Sequence, residues 1–425
     1  MKRSINLIVL TFFASVFSLC VVSQEQNGEF DIKAQLRTRA EYRNGALFPR
    51  SEGDLPASFI ANRARLSLGY DNNFLSMKFS GQNVSLWGSR PQIENKGDFM
   101  LNEAWAKLTH DRFFAQIGRQ QLAYDDDRIL GTLDWNHSGR WHDVLKLGYE
   151  NPNNKLHLIL GYNTTAESYH NSQYFAGAQP YKRMHTLWYQ YNDNNRFSAS
   201  FMALNLGFET GTPSSGLSEE FAKTSYMQTL GTNISYQLDA FNLFGTFYYQ
   251  TGKNKAENDV SAYMWAIKGT YAVNSNLSVI GGLDYLSGQK DSDKSTAFDP
   301  LYGTHHKFYG SMDYFYASAY HNYGLFDKYV SLVVKPVSKM TLDLTYHHFS
   351  SSQNIDVDGN EYKALGSEID LTVTYAIRPY ITLQGGYSTM FGTDAFSVAK
   401  GGDYSRWQDW GWLSLNINPQ IFKSK

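Results

Sequence analysis

The sequence contains a single cysteine, Cys20, which lies in the apolar leader at the N-terminus. Without this leader the chain has no thiol, which excludes a disulfide framework and a cysteine-based metal site. Proline is also scarce, with 10 residues, whereas aromatic residues make up 16% of the chain. Such a composition suits β-strands and the aromatic belts that form at a membrane interface.

Long hydrophobic runs are missing as well. After residue 22 no stretch of 18 or more apolar residues occurs, which excludes a transmembrane helix. The mean hydropathy of −0.44 is also far too low for a bundle of membrane helices. A protein that spans a membrane without such helices has to be a closed barrel, because open sheet edges cannot be satisfied in lipid.

The first 24 residues differ from the remainder. A positive start at Lys2 and Arg3 is followed by a mostly apolar run over 5–22 and a small-residue cleavage site around Ser23. This pattern predicts a secretory signal peptide over 1–24 and a single barrel domain over 25–425. Without Lys2 and Arg3, 36 basic residues face 40 acidic ones, a net charge of about −4. No basic domain indicates nucleic acid as a partner.

Strict alternation of apolar and polar residues is the strongest pattern in the chain. Over 30–43 one face is mainly apolar and the other is charged, which predicts a strand with one face toward lipid. Similar segments recur to the end of the sequence. The predicted strands are 29–43, 58–70, 74–84, 100–109, 113–121, 141–150, 155–163, 182–191, 196–208, 224–237, 241–251, 260–272, 277–287, 323–335, 340–350, 364–375, 380–390 and 406–418.

Short and long connections alternate between these strands. Eight are tight polar turns, such as Asn151-Pro152-Asn153-Asn154, and nine are longer stretches rich in Gly, Ser and Asp, such as 209–223 and 351–363. Short periplasmic turns and long extracellular loops are typical of outer-membrane barrels. We therefore predict an all-β, antiparallel transmembrane barrel of 18 strands, with 16 as the alternative. The location is the outer membrane of a Gram-negative bacterium, with both termini in the periplasm.

Cationic residues cluster on the predicted inner face of the first two strands. The candidate pore-lining cations are Lys33, Arg37, Arg39, Arg43, Arg63, Arg65 and, farther along, Lys107. The candidate acidic counter-charges in the lumen are Glu41, Glu103, Glu368 and Asp370. Two interpretations remain open: a web of ion pairs that stiffens the wall, or a charged constriction that selects anions. Arginine suits carboxylate ligands because its planar fork binds both oxygens.

Other chemistry is less well supported. No Gly-x-Ser-x-Gly or His-Glu-x-x-His pattern indicates an enzyme. His305 and His306 are adjacent and would point to opposite faces of a strand, and three consecutive acids from Asp125 lack the spacing of a dedicated Ca²⁺ site. We therefore predict no metal site and no cofactor. A set of predicted inward aromatic residues suits either stacking on sugars or packing within the wall: Trp105, Trp188, Tyr248, Trp410 and Trp412.

Several motifs resemble the alginate-export family of outer-membrane channels. They are Asn102-Glu103-Ala104-Trp105, Gly118-Arg119-Gln120, Asp127-Arg128-Ile129-Leu130-Gly131, Asp134-Trp135, Ser138-Gly139-Arg140 with Asp143, the block 298–315, Gly366-Ser367-Glu368-Ile369-Asp370-Leu371 and Gly386-Tyr387-Ser388. The resemblance implies an 18-stranded monomeric barrel whose lumen arginines guide an anionic polyuronate outward. Arg128 and Arg140 of these motifs join the candidate pore-lining residues. The C-terminus departs from the common terminal aromatic residue, since Phe422 is followed by Lys-Ser-Lys.

The connection over 289–322 is too long and too aromatic for a loop without a structural or functional role. We predict that it folds over or into the barrel mouth and narrows the pore; a mobile surface loop is the alternative. The sequence thus favours a passive channel for anionic oligo- or polysaccharide, or for small anionic solutes. Its expected partners are outer-membrane lipid and the anionic cargo. A structural or adhesive barrel without specific transport is the alternative function.

Overall fold

The computed structural model describes residues 28–93, 98–169, 172–175, 180–210, 223–290, 292–315 and 322–424. The predicted signal peptide, 1–24, lies outside the described residues, and so does most of the predicted loop 209–223.

Nearly all of the described secondary structure is β-strand. The strands are β1 (Glu29–Asn44), β2 (Ala57–Asp71), β3 (Leu75–Leu86), β4 (Met100–His110), β5 (Phe113–Gln120), β6 (His142–Glu150), β7 (Asn154–Tyr162), β8 (Arg183–Asn192), β9 (Phe197–Glu209), β10 (Thr224–Leu238), β11 (Phe241–Lys253), β12 (Asp259–Asn274), β13 (Leu277–Leu286), β14 (Leu325–Val337), β15 (Met340–Val357), β16 (Asn360–Arg378), β17 (Ile381–Gly392), β18 (Gln408–Ile417) and β19 (Gln420–Lys423).

Each strand pairs with its neighbour in sequence, and β1 closes the ring by pairing with both β2 and β18. All of these ladders are antiparallel. The short β19 follows Pro419 and extends the wall by pairing with the first residues of β1. The prediction of an all-β antiparallel barrel of eighteen strands is therefore confirmed, with one additional short strand.

The connections differ at the two ends of the barrel. At one end, which we call the turn end, connections are two to four residues long, as between β6 and β7. At the opposite loop end most are longer. Residues 351–363 were predicted to be a loop, and this is wrong: β15 and β16 continue to Val357 and Asn360. The Asp358-Gly359 pair, with φ of 52° and 81°, closes this extended hairpin, as such dipeptides do in two-residue turns.

Two helical turns lie in the connections at the loop end. The helix α1 (Asp394–Lys400) lies between β17 and β18, and its N-cap Thr393 accepts a hydrogen bond from the Phe396 amide. A short 3₁₀ turn covers His305–Lys307. Neither described helix is both long and apolar enough to cross a membrane.

Two long connections fold into the barrel. We call residues 121–141, between β5 and β6, the first inner segment, and the described residues between β13 and β14, which are 287–290, 292–315 and 322–324, the second inner segment. Leu130 and Leu301 of these segments are fully buried against an apolar stretch of wall that includes Met184, Leu204 and Met264. The interior of the barrel therefore holds a hydrophobic core on one side.

Candidate functional site

The inner face of β1 and β2 carries the arginines that the sequence singled out. Arg37, Arg39 and Arg63 are 9%, 5% and 0% exposed, whereas Leu36 and Leu66, on the alternate face, are 45% and 49% exposed. Because successive side chains of a strand point to opposite faces, the buried set faces the lumen and the exposed set faces outward.

The strand register brings five arginines into one patch. Arg37 lies opposite Arg63, and Arg65 is opposite Gln35, one pleat nearer the turn end. Arg39 and Arg43 continue the row toward the loop end. We call Arg37, Arg39, Arg43, Arg63 and Arg65 the arginine patch.

The first inner segment lies directly on this patch. Arg37 donates to the backbone oxygen of Asp134 at 2.6 Å and to that of Asn136 at 3.1 Å. Arg63 donates to the Asp134 carboxylate at 2.8 Å and Arg39 donates to the Trp135 oxygen at 2.9 Å. Part of the arginine charge therefore holds the segment against the wall.

The acids around the patch do not balance it. Arg39 and Arg43 both pair with Glu41 at 2.8 Å. Arg37 and Arg63 share Asp134, at 3.3 and 2.8 Å. Among the described residues, these two carboxylates are the acids within 4.0 Å of the five guanidinium groups, an excess of three positive charges. Arg65 donates to Gln82 at 2.8 Å, while its Nη2 has no hydrogen-bond partner within the described chain.

Lysines extend the row of basic side chains from the arginine patch toward the turn end. Lys33 lies 3.6 Å from Asp31, and Lys78 pairs with Glu103 at 2.5 Å. Lys107 lies 4.2 Å from the centre of the Phe114 ring, and within the described chain no carboxylate lies within 4.0 Å of its ammonium group. Glu103 also accepts a hydrogen bond from Trp105 at 3.2 Å.

A cavity of about 550 Å³ lies between the arginine patch and the inner segments. It is lined by Arg39, Arg43, Phe59, Trp135, His137 and His306, among others. Trp135 stacks on His306 at 4.1 Å between ring centres. The Arg39 guanidinium also lies over Trp135, 3.9 Å from its ring centre. The cavity therefore combines two arginines and aromatic faces with the carboxylates of Glu41, Asp98 and Asp313.

The electrostatics of the first inner segment follow from these neighbours. Burial lowers the pKa of His137 to about 3, and the nearby charges of Arg39 and Arg37 act in the same direction. Burial alone would raise the pKa of Asp134, but the hydrogen bond and charge of Arg63 and the charge of Arg37 outweigh it and keep this pKa below its ordinary value. At neutral pH the imidazole of His137, which lines the cavity, is therefore neutral, and the Asp134 carboxylate is ionised.

Glu368 and Asp370 lie under the second inner segment rather than beside the arginine patch. Glu368 accepts the Met312 amide at 2.8 Å, and Asp370 accepts the Ser311 amide at 3.3 Å. His347 bridges Asp327 at 2.9 Å and Asp370 at 3.5 Å. These groups anchor the segment, a role that alternation in the sequence does not reveal.

Arg128 and Arg140 join the two inner segments to each other and to the wall. The buried Arg128 binds Asp284 of β13 through two contacts of 3.0 Å and Asp126 at 2.7 Å. Arg140 donates to the Gly303 oxygen at 2.9 Å. The Gly131 amide donates to the Tyr302 oxygen at 3.0 Å, and the Tyr302 amide donates to the Ile129 oxygen at 3.0 Å. A side-chain carbon at Gly303 would collide with the Arg128 oxygen, so this close approach requires glycine.

The remaining aromatic, histidine and aspartate candidates are engaged in packing contacts. Asp125 accepts hydrogen bonds from Trp188 at 3.1 Å and from Tyr248 at 3.4 Å. His306 contacts Asp313 at 2.9 Å. Trp410 and Trp412 lie 5.7 and 4.9 Å from Trp135. Within the described parts of the chain, no group of three or more His, Asp or Glu side chains is arranged to hold a metal ion.

Solved structures that resemble this barrel include porins. OpdO of Pseudomonas aeruginosa has a TM-score of 0.64 and 11% identity, over 92% of this chain and 98% of that one. A BenF-like porin from Pseudomonas fluorescens Pf-5 has a TM-score of 0.63 and 14% identity, over 92% and 99%. OpdK of Pseudomonas aeruginosa, solved with vanillate, has a TM-score of 0.62 and 12% identity, over 93% and 99%. At these identities the likeness establishes the fold.

Sequence comparison adds the family. No curated protein sequence is significantly similar to this chain. The family model for alginate export, however, matches residues 29–407, nearly the whole of the barrel. The chain is an outer-membrane channel protein of Gram-negative type, and it belongs to the alginate export family.

Proposed function

We propose that this protein is a passive, monomeric channel for anionic saccharides of the polyuronate type or for small organic anions. The arginine patch attracts the cargo into the lumen, and the aromatic faces of the cavity support its sugar rings. The loop end faces outward and the turn end, with both termini, faces the periplasm. Passive transport of this kind involves no chemical reaction, so the proposal includes no enzymatic activity.

One observation carries the proposal: the five arginines of the patch have only two carboxylates within 4.0 Å among the described residues, and two of these arginines, Arg39 and Arg43, line a cavity inside the barrel. A low-dielectric wall around a narrow aqueous passage focuses the field of such an excess charge. Negative groups elsewhere are screened over about 8–10 Å at physiological salt. The lumen should therefore prefer anions although the whole chain is net negative.

The family and the fold support an anionic cargo. Membership in the alginate export family makes a polyanionic saccharide the first candidate cargo. OpdK, which has the same fold, was solved with vanillate, so small organic anions are the second candidate.

The test is ion selectivity in a planar bilayer. Arg43 and Arg65 are the best positions to change, since Arg43 bonds to Glu41 and Arg65 bonds to Gln82 rather than to the backbone of the first inner segment. We expect the wild type to give an anion-selective reversal potential under a salt gradient. The variant Arg43→Gln/Arg65→Gln should shift it toward zero, and uronate oligomers should block the variant more weakly.

Arg196→Gln/Arg378→Gln is the matched control, because both of these arginines are exposed at the turn end and lie outside the lumen. It should leave the reversal potential unchanged. A cation-selective wild type, or a folded double variant with wild-type selectivity, would contradict the proposal. A barrel without ohmic steps would instead favour a structural role, in which the interlocked inner segments close the lumen.

A further inference from the structure

The outer face of the barrel carries a cation, Lys328, that pairs with no acid in the part of the chain that the structure describes. On β14 the outward side chains are Phe326, Lys328, Val330 and Leu332, since Leu325, Asp327 and Ser331 are buried. Lys328 contacts the Ser350 hydroxyl at 3.4 Å, and it lies 4.7 Å from the Phe326 ring centre. Within the described residues it has no carboxylate within 4.0 Å.

This arrangement differs from that of Arg119 and Asp143, an outward-facing ion pair near the loop end. Arg119 of β5 binds both oxygens of Asp143 at 2.9 Å, so its charge is neutralised by the wall itself. A lipid-facing cation without such a partner is costly in the apolar band and is tolerated near the interface. Lys328 therefore marks a place where the surroundings, rather than the wall, supply the opposite charge.

The height of Lys328 fits the edge of the apolar band. Lys328 lies three residues from the loop end of β14, and the outward residues that follow it are Val330, Leu332 and Val334. Val337, at the turn end of the strand, lies nine positions after Lys328. This separation is about 30 Å along the strand, and about 23 Å along the membrane normal when the strand is tilted by about 40°. That span corresponds to the roughly 25 Å apolar band of outer-membrane barrels.

A group of aromatic rings lies beside Lys328 on the same face. Trp265 and Tyr285 stack at 5.7 Å with an interplanar angle of 8°, and Tyr263 stacks on Tyr285 at 5.7 Å. Phe326 lies 5.9 Å from both Trp265 and Tyr285. We call Tyr263, Trp265, Tyr285 and Phe326 the aromatic panel. These rings are half-buried, so the edges and faces that do not stack on a neighbouring ring remain available to a ligand from the membrane.

We propose that the aromatic panel and Lys328 bind the phosphorylated sugar headgroup of an outer-leaflet glycolipid of the lipid A type. An ammonium group binds phosphate as a compact point charge. Aromatic rings at the interface present apolar faces on which a sugar ring can pack, with their polar edges wet. A phosphate above Lys328 and acyl chains over Val330 and Leu332 match the order of side chains along β14. The site requires that the loop end faces outward.

The test measures lipid binding by the refolded full-length protein in detergent micelles. Native mass spectrometry over a concentration series would give apparent affinities for bisphosphorylated lipid A, dephosphorylated lipid A and phosphatidylglycerol. We expect bisphosphorylated lipid A to bind most tightly. Lys328→Gln should weaken this binding about tenfold through loss of a charge-assisted contact, and Lys328→Arg should retain it.

Two further variants separate the parts of the site. Lys335→Gln changes the same charge on the same strand at the turn end and should bind lipid A like the wild type. Trp265→Leu should weaken binding of lipid A with or without phosphate, and leave phosphatidylglycerol unaffected. Circular dichroism and heat-dependent gel mobility establish that each variant is folded.

Three results would overturn the proposal. The first is equal lipid A binding by folded Lys328→Gln and Lys335→Gln. The second is equally tight binding of phosphatidylglycerol with the same dependence on Lys328, which would leave the aromatic panel without a sugar to recognise. The third is a dimer of the wild type that Trp265→Leu abolishes, which would make this face an interface between two copies.

Discussion

His137 illustrates how a single residue of the first inner segment depends on the arginine patch. Arg39 Nη2 lies 3.4 Å from its Nδ1. Arginine can only donate, so Nδ1 accepts and the neutral ring carries its proton on Nε2. The pKa of about 3 follows from burial and from the charges of Arg39 and Arg37, and it lies below the ordinary value of 6.5.

This depressed pKa predicts a pH dependence of stability. Between pH 6.5 and about 3 the unfolded chain binds the His137 proton more readily than the folded chain does. His137 therefore stabilises the fold fully above pH 6.5, and that contribution is lost as the pH falls toward 3. His137→Asn keeps an acceptor for Arg39 but cannot titrate. Melting temperatures of both proteins from pH 8 to pH 4 should converge as the pH falls, whereas parallel profiles would contradict the assignment.

The roles of individual charged residues could be predicted only in part. Alternation correctly indicates that Arg37, Arg39 and Arg63 face inward, because period two follows directly from strand geometry. It does not reveal that the carbonyl oxygens of residues 134–136 lie on them. That segment has no periodic pattern, and its contacts with β1 join positions 96 to 99 residues apart in sequence.

At the scale of whole elements, the link between Arg128 and Asp284 fixes the first inner segment to β13. Arg128→Met leaves Asp284 and Asp126 buried without their cation, and removing one partner of a buried ion pair costs about 3–5 kcal/mol. Arg128→Met/Asp284→Asn removes both charges and should be less destabilised than the sum of the two single variants. We expect Arg128→Met to give larger and more frequent current steps, because both inner segments lose an anchor.

Denaturation midpoints of the wild type, both single variants and the double variant complete this double-mutant cycle. The controls Arg119→Met and Asp143→Asn break an arginine–aspartate pair on the outer face. They should change stability without altering conductance. Additive effects at Arg128 and Asp284 would show that the two residues are not coupled.

The strands themselves were predicted well, since most of their ends lie within about two residues of those in the structure. Two element-scale features were not predicted. Ile355 and Val357 continue the alternation of β15 beyond residue 350, and the polar residues around them resemble a loop in composition. The inward face of β9 is apolar at Met202, Leu204 and Leu206, so both of its faces are apolar and alternation there carries no information about which is inside.

The same apolar part of the wall packs against the second inner segment. Phe298, Leu301 and Tyr309 of this segment are buried inside the barrel. Deleting 291–310 should therefore raise single-channel conductance while the strand ladder persists, because the segment occupies space in the lumen. Circular dichroism checks the β-content. Shortening the exposed loop 254–258 at the same end is the control and should leave conductance unchanged. Equal conductance of the wild type and a well-folded deletion would show that the segment does not narrow the pore.

At the scale of the whole molecule, charged and apolar side chains are distributed unevenly around the interior of the barrel. The arginine patch lies on β1 and β2, the anchoring acids lie on β13 to β16, and the apolar side of the interior lies on β7 to β12. Leu130 and Leu301 of the inner segments pack on the apolar side, and a cavity lies beside Arg39 and Arg43 on the basic side. We therefore expect a solute that crosses the barrel to meet cations, carboxylates and aromatic rings at this wall, although the chain as a whole is net negative.

Orientation in the membrane is the remaining whole-molecule prediction. Short turns at the periplasmic end and longer loops outside are the rule for outer-membrane barrels. We expect a protease site inserted at Gly53, which has open space around it at the loop end, to be cleaved on intact cells. The same site inserted at Asn153, in the tight turn between β6 and β7, should be protected until the outer membrane is permeabilised. Cleavage at Asn153 but not at Gly53 would reverse the orientation. The aromatic panel would then lie in the inner leaflet, where phosphatidylglycerol rather than lipid A is the available anionic lipid.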